Sequence, residues 1–144
     1  LMAGVLVRSL SKRKCHTINS SASVQDTVNK LTEYNIGAMP VVNSDGGVVG
    51  VVSERDISRF LSIEKFDLNK KVSEIMSKNT ISCDLTISVS ELMETMTNKK
   101  IRHMPIIDQN NLVGIVSIGD VVNHIIQKYE VENDAMRNYI NGFS

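Results

Sequence analysis

Two tetrapeptides carry a hydroxyl and a carboxylate at the same spacing, Ser53-Glu54-Arg55-Asp56 and Ser117-Ile118-Gly119-Asp120. Each follows a β-branched run behind a glycine, Gly50-Val51-Val52 or Gly114-Ile115-Val116, where a strand gives way to a helix. A serine at such a junction is an N-cap, and an acid three residues later can reach back to the cap's N–H. The same arrangement can hold a ligand. The first turn of a helix presents N–H groups without intrahelical partners and the positive end of its dipole, which favour phosphate. A carboxylate there can accept from a ribose diol, and a serine hydroxyl can bond to a sugar or phosphate oxygen. One copy reads as a plain helix cap; two copies behind matched strands shift the balance towards binding.

The elements that position these residues are themselves duplicated. Ile36-Gly37-Ala38-Met39-Pro40-Val41-Val42 matches Ile101-Arg102-His103-Met104-Pro105-Ile106-Ile107 at an offset of 65, and Gly50–Asp56 matches Gly114–Asp120 at 64. Upstream, Thr17-Ile18 is matched with Thr80-Ile81 at an offset of 63. Both prolines of the chain fall at equivalent places. Such self-similarity marks a repeat. Each copy reads as β-α-β-β-α. A short extended segment comes first, at Thr17-Ile18 or Thr80-Ile81. A helix follows, capped at Ser23 or Ser88, with Val24, Val28 and Leu31, or Val89, Leu92, Met93 and Met96, at helical spacing. Gly37 suits a left-handed stop for the first of these helices. Strands at 39–42 and 48–52 flank the turn Asn43-Ser44-Asp45-Gly46-Gly47, and strands at 104–107 and 112–116 flank a turn at 108–111. A second helix starts after Ser53, carrying Ile57, Phe60 and Leu61, and another starts from Gly119. The expected divisions are repeat one at 5–63, repeat two at 72–129 and an extra C-terminal helix at 130–142. A polar stretch at 64–71 links the repeats. Short helical segments at 72–76 and 5–10 lead into repeats two and one respectively.

Composition excludes several classes. The chain has 144 residues, enough for one compact unit or two small halves, and 16 basic residues balance 16 acidic ones. A nucleic-acid binder would carry a basic excess and stacking aromatics; here there is no Trp, with three Phe and three Tyr. No stretch reaches the apolar length of a membrane helix. Cys15 and Cys83 form no CxxC and no zinc spacing, and they read as apolar fillers in a reducing compartment, with a single disulfide between them left open. No nucleophile–base pair, metal-ligand cluster or P-loop is present, so neither catalysis nor a metal is expected. Lys12-Arg13-Lys14 follows the apolar start of the chain instead of preceding it, the wrong order for a secretory signal. The expected location is the cytoplasm, with a mitochondrial transit segment left open. The basic run itself reads as a solvated helix end.

The linked pattern of hydrophobic–Pro–Val–Val, turn and Gly–Val–Val–Ser–x–x–Asp, found twice, resembles the CBS motif. Two such motifs form a Bateman module, and the likeness covers roughly residues 5–129. Within the family, the run Val-Ser-Ile-Gly-Asp-Val-Val with its following helix resembles small stand-alone bacterial proteins, and related mitochondrial ones, made of two CBS motifs only. The inosine monophosphate dehydrogenase also carries an inserted CBS pair, but its barrel needs ~250 residues. The resemblance implies an α+β fold in which two β-α-β-β-α units pack about a pseudo-twofold axis, with two clefts and a homodimer of modules. It implies a regulatory, non-catalytic protein that binds AMP, ADP, ATP, NAD or another adenosyl compound and acts through its dimer on a partner. The alternative is an interaction module with empty or vestigial clefts. Carried onto this chain, site one comprises Thr17, Ile18, Ala38, Met39, Pro40, Ser53, Arg55 and Asp56. Site two comprises Thr80, Ile81, Arg102, His103, Met104, Pro105, Ser117, Gly119 and Asp120. Met and Ile would sandwich the adenine, or simply pack the core. Arg55 and Arg102 offer guanidinium forks for phosphate, and His103 a pH-sensitive donor; each also reads as a solvated charge. Because Arg55 stands opposite Gly119, and Arg102-His103 opposite Gly37-Ala38, the two clefts are expected to differ in affinity or ligand.

Overall fold

The computed structural model describes residues 4–63, 65–78 and 81–142. An antiparallel hairpin forms the centre of each repeat. Strands β2 (Ala38–Val42) and β3 (Val48–Ser53) pair with Met39 opposite Val52 and Val41 opposite Gly50. Strands β4 (His103–Asp108) and β5 (Asn111–Ser117) pair with Met104 opposite Val116 and Ile106 opposite Gly114. Both hairpins shift register at matched places, between Val41 and Val42 and between Ile106 and Ile107. The second closes through Gln109 and Asn110, at φ 49° and 65°. Positive φ at both central residues gives a two-residue turn that follows the strand twist.

The helix before each hairpin begins on the expected serine. The Ser23 hydroxyl oxygen accepts from the Asp26 N–H at 3.0 Å to open α2 (Val24–Glu33), and Ser88 accepts from the Glu91 N–H at 3.1 Å to open α4 (Val89–Lys99). Val24 and Leu31 of α2, and Leu92 and Met96 of α4, enter the cores, whereas Met93 stays exposed. The left-handed stop of α2 falls at Asn35 (φ 51°), not Gly37, and Lys100 (φ 55°) occupies the matching place after α4. There the Ile36 N–H returns to the Leu31 carbonyl at 3.0 Å and the Ile101 N–H to Met96 at 3.1 Å, satisfying carbonyls of the last turn.

The leading strand differs between repeats. In the first, β1 (Ile18–Asn19) runs parallel to β2, with Ile18 opposite Val41. In the second, pairing shrinks to a single parallel bridge between Cys83 and Ile106, with the Cys83 N–H on the Pro105 carbonyl at 2.9 Å. Both pairings share an offset of 65, so the counterpart of Ile18 is Cys83, and the match of Thr17-Ile18 with Thr80-Ile81 was two residues short. Burial explains the choice: Cys83 is enclosed in the second core, where burial and then the Asp84 charge push its thiol pKa up to about 11. Thr80 lies outside the described residues.

The leading segments cross over. Helix α1 (Val5–Leu10) sends Leu6 and Val7 into the core of repeat two, beside Leu92, Met104, Ile106 and Val116. The short 3-10 turn Val72–Glu74 and the residues after it place Val72, Ile75 and Met76 against the core of repeat one, with Ile18, Met39, Val52 and Phe60. Segment 5–10 precedes repeat one in sequence yet completes repeat two. Gly50 allows one of these crossings: a Cβ there would stand 2.6 Å from the Ser77 carbonyl oxygen. At Gly114 the approach is looser, with Ser11 Cα at 3.5 Å.

Each hairpin feeds a helix, α3 (Glu54–Leu61) in the first repeat and α5 (Ile118–Gly142) in the second. The C-terminal helix continues that of repeat two without a break, and its Val122, Ile126, Tyr129, Met136 and Ile140 are exposed. No described helix is long and apolar enough to cross a membrane.

Candidate functional site

Both Ser-x-x-Asp elements fold as reciprocal caps. The Ser53 N–H donates to Asp56 Oδ2 at 2.8 Å, and the Asp56 N–H donates to Ser53 Oγ at 3.4 Å. The Ser117 N–H donates to Asp120 Oδ2 at 2.8 Å, and the Asp120 N–H to Ser117 Oγ at 3.1 Å. The first N–H of each helix is taken by the chain ahead of its own proline: Glu54 donates to the Gly37 carbonyl at 2.9 Å, and Ile118 to the Arg102 carbonyl at 2.8 Å. The capping reading therefore holds in both copies. What distinguishes them is the surroundings of each carboxylate.

Asp56 faces open space. A cleft of about 590 Å³ is lined by Ser53, Arg55, Asp56 and Arg59 from α3 and its cap, and by Lys100, Arg102 and His103 from repeat two. A second recess of about 330 Å³ is bounded by Phe60, Ile75 and Met76, and it shares Asp56, Arg59 and Ser77 with the first. Asp56 thus stands where a recess with one apolar wall, Phe60, Ile75 and Met76, meets a cation-lined one. Four cations, Arg55, Arg59, Lys100 and Arg102, face two carboxylates, Glu54 and Asp56. Among the described residues none of the four is held in an ion pair. Burial, the largest influence, holds the pKa of His103 below the usual histidine range; Arg102 acts the same way, while Asp120, Asp56 and Glu54 pull it up.

Asp120 is engaged. Arg13 Nη1 donates to its Oδ1 at 3.0 Å and Nη2 to its Oδ2 at 2.8 Å, while Nη2 also reaches the Ile115 carbonyl at 2.9 Å. Burial pushes the Asp120 carboxyl up, but the bonds from Arg13 and Ser117 more than reverse this and leave it below the usual carboxylate range. The matching carbonyl in repeat one, that of Val51, is closed by the Ser77 N–H at 2.9 Å.

The CBS-domain family profile matches residues 7–63 and 72–127. This chain belongs to the CBS-domain family. It is 35% identical over 105 residues to the CBS domain-containing protein YhcV of Bacillus subtilis (strain 168), covering 73% of this chain and 74% of the relative. It is 32% identical over 125 residues to the mitochondrial CBS domain-containing protein CBSX3 of Arabidopsis thaliana, covering 83% of this chain and 61% of that one. The CBS-domain protein ATU1752 of Agrobacterium tumefaciens superposes with a TM-score of 0.77 at 32% identity, covering 86% of this chain and 98% of that chain. The CBS domain pair of MJ0100, solved with 5-methylthioadenosine and S-adenosyl-L-methionine, gives 0.76 at 26% identity, covering 85% of this chain and 96% of that one.

Within this CBS pair, the expected site residues are regrouped. Ser53, Arg55 and Asp56 of the first repeat share a cleft with Arg102 and His103 of the second, so the cleft is built across the repeats and not within one. Met39 and Met104 are 0% and 1% exposed, Ile18 is buried with Met39, and Pro40, Pro105 and Ala38 are also enclosed. This burial favours core packing over an adenine sandwich as the place of Met39, Met104 and Ile18. Ile81 packs against the second core. The Thr17 carbonyl accepts from the Lys30 ammonium. Gly119 is exposed in the first turn of α5, and Ser117 lies opposite His103. Arg59, Lys100, Ser77 and Arg13 were missed. Arg59 had a signal, since it follows Arg55 by one helical turn and shares its face.

Proposed function

We propose that this CBS pair is a non-catalytic regulatory module that binds an anionic adenine nucleotide, of the class of AMP, ADP, ATP or NAD, in the cleft at Asp56. One observation carries the reading: a carboxylate stands between a recess with an apolar wall and a recess with four cations that form no ion pair among the described residues. The apolar wall of Phe60, Ile75 and Met76 takes the base. Asp56 accepts from the ribose hydroxyls. Arg55, Arg102 and His103 face the phosphate, where guanidinium forks match its oxygens. About 590 Å³ lies within the range of small-ligand sites. The MJ0100 pair was solved with adenosyl compounds, and that likeness supports an adenosyl ligand here. The cations of this cleft favour a phosphate-bearing one over the positively charged S-adenosyl-L-methionine.

The module acts as a homodimer on a partner protein. Supporting the dimer, α5 leaves Val122, Tyr129 and Met136 exposed at seven-residue intervals, with Ile126 and Ile140 alongside. Such spacing lays an apolar stripe along a helix of roughly 37 Å. A ligand changes that assembly only by as much as it prefers one state of it.

The alternative, an interaction module with empty clefts, draws on the Arg13–Asp120 pair, which occupies one carboxylate already. Mass spectrometry of small molecules released from the purified protein separates the two. An adenine nucleotide at a substoichiometric or higher ratio supports binding. No adenosyl compound, together with no thermal shift at millimolar AMP or NAD, favours the interaction module, because a ligand of the folded state stabilises it by mass action.

A further inference from the structure

The pseudo-symmetry of the repeats gives two Ser-x-x-Asp carboxylates, but the chain treats them differently. Asp56 keeps one side towards the cleft, and among the described residues no cation pairs with it. Asp120, with a side chain 17% exposed, receives both terminal nitrogens of Arg13. A bidentate guanidinium uses both carboxylate oxygens in one plane, leaving little capacity for a ribose diol, which needs the same lone pairs. The arginine is fixed from a second direction by the Ile115 carbonyl. It is also held by its own chain, because α1, just upstream, is packed into the core of repeat two through Leu6 and Val7. Asp56 in repeat one has no equal device. The residue 65 positions after Arg13 is Lys78, which is exposed, and the Val51 carbonyl is already closed by the Ser77 main chain.

We propose that Arg13 is the residue that decides which Ser-x-x-Asp carboxylate takes ligand: held on Asp120, it closes that carboxylate to a ribose and directs the nucleotide to Asp56. The proposal rests on the adenine-nucleotide reading above and assigns its site preference. A lysine would not do the same work, since a single ammonium cannot cover both carboxylate oxygens and the Ile115 carbonyl in one planar array. Ligand at Asp120 requires that the guanidinium swing away. Its connection to α1 then links occupancy at Asp120 to the segment completing the core of repeat two.

The test is calorimetric titration of the full chain with AMP, comparing the native protein with Arg13→Ala, Asp56→Asn and Asp120→Asn. The expected result is one site per native chain, lost in Asp56→Asn and kept in Asp120→Asn. Arg13→Ala gains a second site, about tenfold or more tighter than any residual binding there in the native chain, as expected for releasing a charge-assisted pair. The double variant Arg13→Ala/Asp120→Asn returns to one site. Arg13→Gln, which keeps the stem, repeats the measurement should the alanine variant lose stability. A single Asp56-dependent site in every Arg13 variant would overturn the proposal while leaving the nucleotide reading intact. Two sites in the native chain, one weakened by Arg13→Ala, would make Arg13 a ligand contact and also overturn it. Absence of binding in all variants would remove the nucleotide reading and this proposal with it.

Discussion

Gly50 and Gly114 occupy equivalent places in the two hairpins, yet alanine should be tolerated at one and not at the other. A Cβ on Gly50 would lie 2.6 Å from the Ser77 carbonyl oxygen and 2.6 Å from Met76 Sδ. The methionine can move, but the carbonyl belongs to the bridge in which the Val51 N–H donates to Ser77 at 3.0 Å and the Ser77 N–H returns to Val51 at 2.9 Å. Displacing that segment forfeits two hydrogen bonds, each about 1 kcal/mol net. Overpacking adds roughly 1–3 kcal/mol. Restricting the unfolded chain returns roughly 0.4–1 kcal/mol, so Gly50→Ala should cost about 2–5 kcal/mol. At Gly114 the nearest atoms are Ile106 Cδ1 at 3.3 Å and Ser11 Cα at 3.5 Å, contacts that a small side-chain adjustment relieves. Gly114→Ala should fall within about 1 kcal/mol of the native chain. For a domain of this size the difference is read as a Tm lowered by roughly 6–15 °C against a change under ~3 °C. Urea unfolding gives the same comparison through the midpoint. Ser77 also walls the Asp56 cleft, so Gly50→Ala should weaken nucleotide binding while Gly114→Ala leaves it unchanged. Equal losses at the two glycines, or a larger loss at Gly114, would refute the close crossing of Ser77 over β3.

His103 sets a pH dependence. Its folded pKa is depressed below 6.5, so its contribution to stability is fully present above the unfolded value and is lost as pH falls through the folded one. A bound phosphate raises that pKa, so AMP affinity should increase from pH 8 to pH 6 with proton uptake, and His103→Gln should flatten the dependence in calorimetry. On α5, Tyr129→Glu places a charge on a residue 68% exposed in the chain. Light scattering should show a native dimer and a variant near 16.0 kDa, while thermal unfolding of the variant, measured separately, should remain cooperative.

Much of the fold was legible because its signals are local. Period-two strands behind Pro40 and Pro105, serine caps at Ser23 and Ser88, and turn residues at 43–47 each declare themselves within a few residues. Duplication then doubled the evidence for Ser53–Asp56 and Ser117–Asp120. What was not legible depends on which repeat a segment meets. The apolar side of 5–10 suits either core, and sequence order assigns it to the nearer one. Packing gives it to repeat two. The same crossing hid the cleft, since Asp56 meets Arg102 and His103 only when the repeats face each other. Arg13 sat inside a basic run, where nothing local separates a latch from solvated neighbours. Thr80-Ile81 resembled Thr17-Ile18 in composition, but register follows burial, and the buried residue is Cys83. Asn35 took the left-handed position two residues ahead of Gly37, a conformation asparagine tolerates.

Whether Asp56 holds the ribose of an adenine nucleotide is decided by equilibrium dialysis of labelled AMP against the native chain and Asp56→Asn, a near-isosteric change that retains an acceptor for the Ser53 N–H. The account predicts saturable binding to the native chain and a loss of at least about tenfold in the variant, the scale of a charge-assisted hydrogen bond. Undiminished binding by Asp56→Asn, with the variant folded, would contradict it.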